Sequence, residues 1–453
     1  MKPPVSVVSV LPVRMPSFTA VLSAITLAAC GGGGEAPDDR AQTLGQGKSV
    51  VVVPGEPNVV SRWHEVAINT INNTINVPPP PIGATIEEQV GGPDIATVQI
   101  AVYDAAMAIA GTHKPFYVTP STPTQDASME AAINEAAYRV LSGLFPSRAA
   151  VYEPAYASEL AAIVDGPAKT QGMALGAEVA QGVLEKRAND GRAAALALPP
   201  YVPGTAAGEF RGVNPVGRQN PFIKPFAVTS VDQFRPEPPP ALTSERYALD
   251  FSEVQAMGGA ISALRTPEQL DIARFHTDSP AVGQYRNQRR FATANASLAD
   301  NARVLAIISV ATADSGLGCF EAKYHYNRWR PQSAIPLADT DGNPATQADA
   351  GWTPVVTTPN HPEYPAGHGC GTGATVEVLR QFYGTKKVSF IWDSAVPSVI
   401  EKTRRYESTD ELIREVIDAR THGGMHFRSA TEAGAQLGRK TAQWVMRFHF
   451  EPR

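Results

Sequence analysis

The chain has 453 residues, and its 39 Lys plus Arg stand against 44 Asp plus Glu for a formal net charge of -5, so neither a nucleic-acid-binding basic excess nor an acidic tail is present. Only 18% of residues are charged, while Gly and Pro are abundant at 37 and 39 residues, which excludes a charge-rich disordered chain. The length allows either one large core or two domains.

Lys2 and Arg14 precede an apolar run, FTAVLSAITLAA, that ends in Leu-Ala-Ala-Cys at Cys30. The run is too short to span a membrane, so residues 1–30 read as an export signal. The ending resembles the bacterial lipobox, in which the cysteine becomes the lipidated first residue of the mature chain. That resemblance implies lipidation at Cys30 and a place in the bacterial cell envelope, on the outer membrane facing the periplasm or the cell surface. Residues 31–55 begin GGGGEAPDD and read as a flexible tether.

Residues 56–195 carry helical periodicity. IATVQIAVYDAAMAIA (95–110) is almost wholly apolar and reads as a buried helix, with Asp94, Thr97 and Asp104 roughly on one face. SMEAAINEAAYRVLSGLF and KTQGMALGAEVAQGVLEKRA are rich in good helix formers. Residues 196–242 are Pro- and Gly-rich and predict loops, which either separate two bundles or lie over a site. Helical spacing returns over 243–453. Thr266-Pro267-Glu268 predicts an N-cap followed by proline at the first helical position. A long apolar run from Ser297 predicts a helix that Pro331 ends. STDELIREVIDAR and TEAGAQLGRKTAQWVMRFHF predict the last two helices. Little of the chain alternates with period two, so the fold class predicted is all-α: two helical bundles with long Pro/Gly-rich loops.

Three segments of the C-terminal part carry the chemistry. Lys323 precedes Arg330-Pro331; Pro365-Ala366-Gly367 precede His368; Arg420 precedes His426. Lys323 and Arg330, seven apart, would share one helix face. In this order, with the wording AKYHYNRWRPQSAI and HPEYPAGHG, the segments resemble the motif triplet of the type 2 phosphatidic acid phosphatase and vanadium haloperoxidase superfamily, and in particular the bacterial vanadium-dependent haloperoxidases.

The resemblance implies an oxyanion site. Lys323, Arg330 and Arg420 would neutralise vanadate or phosphate, with the Gly367 N–H as a further donor and a helix starting near Gly371 adding its positive end. His426 takes the position that ligates vanadate in haloperoxidases and accepts phosphate in phosphatases; His368 takes that of the general acid or base. Vanadate is then the cofactor, and Lys323 polarises the peroxide. The partners are hydrogen peroxide, a halide and a small organic acceptor, with a homodimer possible and no nucleic acid. His361, seven residues before His368, stands where bromoperoxidases also carry histidine, which points to bromide or iodide. The alternatives are a secreted acid phosphatase working through a phosphohistidine, and a non-catalytic surface binding lipoprotein.

Cys319 and Cys370 lie close in sequence to these segments and are candidates for a disulfide in an exported protein. Asp314 and Glu321 are candidate partners for the buried cations. His325 and His422 read as structural, and His64, His113, His276 and His449 as ordinary core or surface histidines. Three letters depart from the superfamily pattern: Ala366 and Ala419 replace serines, and Ala430 stands where an aspartate usually orients the last histidine. Another group must therefore fix the tautomer of His426, or the ring is less well held.

Overall fold

The computed structural model describes residues 48–72, 91–192, 198–278, 280–293 and 295–453. The export signal with Cys30 and most of the tether lie outside the described residues. The end of the expected tether is not free, however. Val50–Val51 (β1) pairs in parallel with Val388–Asp393 (β2), which pairs antiparallel with Thr403–Tyr406 (β3), in the order β1-β2-β3. Val50 and Val52 donate to the carbonyls of Lys387 and Ser389, as β-branched residues on a pleated edge readily do.

The other regular elements are helices: Val59–Ile71 (α1), Gly91–Ala110 (α2), Met129–Leu144 (α3), Ala149–Ala161 (α4), Pro167–Arg187 (α5), Glu245–Gly258 (α6), Pro267–Phe275 (α7), Leu298–Tyr326 (α8), Gly367–Tyr383 (α9), Thr409–His422 (α10) and Arg428–Phe448 (α11). Thr266 caps α7 through a capping box with Gln269, and Pro267 takes its first position. Ser408 caps α10 in the same chemical manner by accepting from the Glu411 amide. α2 is apolar on nearly every side and buried along most of its length, with α1, α3, α5 and α8 around it. α8 is long and apolar enough to cross a membrane, yet 89% of its most apolar window is buried inside the protein, which makes it a core helix.

One hydrophobic core runs from Val52 to Phe450 and joins α2 and α3 to α8, α9 and α11. The Pro/Gly-rich loops after residue 198 are fastened to the loops that carry the site. Phe210 donates to the Asn327 carbonyl and Val216 to that of Asn360. Buried Asp314 caps the Phe226, Ala227 and Val228 amides.

α9 and α11 lie backbone against backbone. A Cβ added to Gly373 would come within 2.4 Å of the Ala435 carbonyl oxygen, and one added to Gly438 within 2.0 Å of that of Cys370. The small-residue run after His368 is thus a packing face. Cys319 of α8 and Cys370 of α9 form a disulfide with a Cα–Cα distance of 6.3 Å, which ties these two helices together at the site.

Candidate active site

The cations converge for a reason other than the one predicted. α8 ends at Tyr326, before Arg330, because Asn327 adopts the left-handed conformation (φ 47°). Lys323 therefore reaches the site from the last helical turn and Arg330 from the loop beyond it. Pro331 opens a separate short helical turn instead of stopping α8. α9 begins at Gly367, four residues before the expected Gly371. Ala366 is its N-cap and supplies no side-chain acceptor, so His368 sits in the first turn among amides that want an anion.

Lys323, Arg330 and Arg420 are all buried, at 0%, 0% and 1% exposure. Lys323 Nζ donates to the Pro362 and Glu363 carbonyls at 2.9 and 3.1 Å. Arg330 donates from Nε to the His361 carbonyl at 2.8 Å and from Nη1 to that of Met425 at 2.9 Å. The same Nη1 lies 3.0 Å from Nε2 of His426, and Nη2 lies 2.9 Å from Nδ1 of His361. Arg420 Nη1 donates to the His276 carbonyl at 2.7 Å, while its buried Nε has no hydrogen-bond partner among the described residues.

Neither Asp314 nor Glu321 pairs with these cations. Asp314 is committed to the backbone of 226–228, and Glu321 to Arg235. The buried carboxylate at the site is Glu363, which sequence reasoning passed over. Its Oε1 is 3.0 Å from Nδ1 of His426 and accepts from the Phe427 amide at 3.0 Å. An acid between two histidines in an otherwise uncharged loop was the available signal. Arg330 can only donate, so Nε2 of His426 is the bare nitrogen and Nδ1–H donates to Glu363. Glu363 thus does the orienting for which Ala430 has no side chain. Ala430 and Ala366 meet in a small apolar cluster, and the Ala366 amide donates to the Ala430 carbonyl at 2.9 Å.

His368 Nε2 lies 3.1 Å from the Asp278 carbonyl, which can only accept, so this nitrogen carries the proton and Nδ1 keeps its lone pair. His276 is more than an ordinary core residue. Its Nε2 meets Glu415 at 2.9 Å, and Glu415 also accepts from Tyr406 at 2.6 Å, which secures the carbonyl that holds Arg420. His422 and His325 make no contact with the histidine, lysine or arginine side chains of the site in this arrangement of bonds.

Of this set, His361, His368, Arg420 and His426 line a cavity of about 270 Å³ together with Gly367 and Met425. Phe320, Val356 and Pro359 supply its apolar side. Burial dominates the proton affinities. It lowers Arg330 to about 10 and Arg420 to about 9, in the second case with help from Arg330. Lys323 is held well below its ordinary range by burial and then by Arg330. His361, His368 and His426 are likewise held well below theirs, first by burial and then by neighbouring cations. Glu363 is pushed up to about 7 by burial, against the pull of Arg330 and Lys323. Three buried cations around one buried carboxylate leave uncompensated positive charge, and the bare Nε of Arg420 adds an unused donor. Such a donor set fits a tetrahedral oxyanion.

Residues 303–452 match the VCPO second helical-bundle domain. Over 87% of this chain and 98% of the other, the structure superimposes with a TM-score of 0.67 and 23% identity on the first bacterial vanadium-dependent iodoperoxidase. The fold is that of the vanadium haloperoxidases. A second likeness, to a holo-type bacterial vanadium-dependent chloroperoxidase, has a TM-score of 0.66 at 15% identity and covers the same 87% and 98%. Vanadium chloroperoxidase of Curvularia inaequalis is 26% identical over 215 residues. That match takes in 38% of this chain and spans about a third, 34%, of the relative.

Proposed function

We propose that the protein is a vanadium-dependent haloperoxidase that oxidises bromide or iodide with hydrogen peroxide. The observation that carries this reading is the burial of Lys323, Arg330 and Arg420 around the bare Nε2 of His426, with Glu363 as the adjoining buried carboxylate. Lys323, Arg330, Arg420 and the first-turn amides of α9 would hold vanadate, with His426 as the ligand to the metal. Vanadate supplies a Lewis acid that activates peroxide towards a halide without itself changing oxidation state.

The chain's own residues do the rest. Glu363 keeps the proton of His426 on Nδ1 and so keeps Nε2 available. Arg330, which bonds Nε2 of His426 and Nδ1 of His361, would share its guanidinium with the oxyanion. His368 accepts a proton at Nδ1 while the Asp278 carbonyl holds its other nitrogen. Lys323 would add positive charge beside the oxyanion, and the apolar wall of Phe320, Val356 and Pro359 limits water. His361 stands in the cavity wall, 5.2 Å from the Phe320 ring and bonded to Arg330, where a large polarisable halide meets an imidazole and an aromatic face. Export and anchoring through a lipid on Cys30 belong to this reading and are supported by the Leu-Ala-Ala-Cys ending.

The test is to add orthovanadate to the purified protein and follow peroxide-dependent bromination of a phenol beside hydrolysis of p-nitrophenyl phosphate. Vanadate-dependent bromination that disappears in His426→Ala is the expected result. Phosphate hydrolysis inhibited by vanadate, without halogenation, would replace this reading by the phosphatase. Silence in both assays would favour a binding protein.

A further inference from the structure

Met425 immediately precedes His426, lines the same cavity as Arg420, His368 and His426, and is only 1% exposed. The shared cavity gives an oxidant formed at the anion site a path to the Met425 side chain, while little of that side chain meets bulk solvent. The other sulfur in the cavity wall, Cys319, is already committed to the disulfide with Cys370. Among the remaining reactive lining groups are the Tyr285 phenol and the imidazoles of His361, His368 and His426. A soft, polarisable thioether reacts with electrophilic halogen ahead of either class.

We infer that Met425 is a modification site, oxidised to the sulfoxide by the hypohalous acid formed in the cavity, and that this event limits the working life of the enzyme. The inference rests on the haloperoxidase reading. In the first step the sulfur lone pair attacks the halogen, a sulfur–halogen bond forms and the halogen–oxygen bond breaks, releasing hydroxide. Water then attacks sulfur, and halide leaves with the bonding pair. Two protons are lost, one of which neutralises the hydroxide. Sulfur gives up two electrons and the halogen gains them, so thioether and hypohalous acid become sulfoxide, halide and one proton.

The modified atom lies where it matters. A Cβ added to Gly423 would come within 2.7 Å of the Met425 methyl carbon, so the side chain occupies a tight notch over the 423–427 turn. The Met425 amide donates to the Arg420 carbonyl at 3.2 Å and its own carbonyl accepts from Arg330. An added polar oxygen in that notch acts on the turn that connects Arg420 to His426.

The test compares two oxidations of the full chain by peptide mass spectrometry. The vanadate-loaded protein is given hydrogen peroxide and bromide; the vanadate-free protein is given reagent hypobromite. Turnover is expected to add about 16 Da to Met425 ahead of the half-buried Met129, Met173, Met257 and Met446, and reagent hypobromite to reverse that order. Met425→Leu, a volume-conserving change, is expected to hold its own initial rate through turnovers that cost the unmodified chain more than half of its rate. Bromination with Met425 unmodified would overturn the inference and leave the haloperoxidase reading intact. So would the same order of oxidation in both treatments, or a Met425→Leu rate that decays as fast as that of the parent. Absence of any halide oxidation would overturn the reading, and the inference with it.

Discussion

Glu363 holds His426 in one tautomer: its Oε1 stands 3.0 Å from Nδ1, while Arg330 donates to Nε2 from 3.0 Å on the other side of the ring. A carboxylate from the loop before α9 thereby serves a histidine in the turn before α11, sixty-three residues later. Partners of this kind usually change metal affinity when removed, although they never touch the metal.

Glu363→Gln keeps an acceptor for Nδ1–H and removes the charge. Orthovanadate affinity is expected to fall by roughly 10–100-fold with the fold retained, and Glu363→Ala to lose more. Calorimetric titration with orthovanadate, beside circular dichroism of each variant, measures this.

Anion binding should draw in protons. Burial and Arg330 hold Lys323 well below its ordinary range, and burial and Arg420 do the same to His368. A bound oxyanion adds negative charge and raises both proton affinities. The bound state therefore carries more protons than the free state, and binding weakens as pH rises from the free-site values towards the bound ones. Titrations at one pH in two buffers of different ionisation enthalpy should show net proton uptake. Net release would contradict the charge state described here.

Ala366 caps α9 without a side-chain acceptor, and its amide is already used by Ala430. Ala366→Ser adds a hydroxyl at the mouth of the first turn. A charge-assisted hydrogen bond of ~1–3 kcal/mol would tighten orthovanadate by roughly 5–150-fold. Equal affinity for variant and parent would show that this hydroxyl does not reach the anion.

The disulfide closes a separation of 51 residues between α8 and α9. Chain-entropy arguments give about 4 kcal/mol for a loop of that size. Replacing both cysteines by serine should lower the melting temperature and weaken vanadate binding, because Lys323 lies one turn from Cys319 and His368 two residues from Cys370. Thermal melts with and without reductant test the stability part on the unaltered chain.

Much of this fold was readable where one physical signal dominated. The apolar run of α2, the Thr266-Pro267 start of α7 and the Ser408 cap of α10 all lie where local pattern places them. α4 was not singled out, because Pro154 interrupts its pattern, yet the helix runs through it. The strands β1–β3 were missed because each is short and its pairing is set by partners hundreds of residues away or by a sheet edge. At the site, residue types and order identified Lys323, Arg330, Arg420, His368 and His426 as a group. Two of the geometric reasons were different: the left-handed turn at Asn327, not a shared helix face, brings Arg330 to Lys323, and α9 starts at Gly367. The place of Glu363 between two histidines was the one sequence signal for it, while its contact with His426 depends on tertiary packing.

On the proposed reading, His426, oriented by Glu363 among three buried cations, makes this cavity an oxyanion site. Calorimetric titration of the full chain with orthovanadate tests it most directly. The expected result is one vanadate per chain, with binding lost in His426→Ala and weakened in Glu363→Gln. No binding to the parent chain, or equal binding by the parent and His426→Ala, would contradict it.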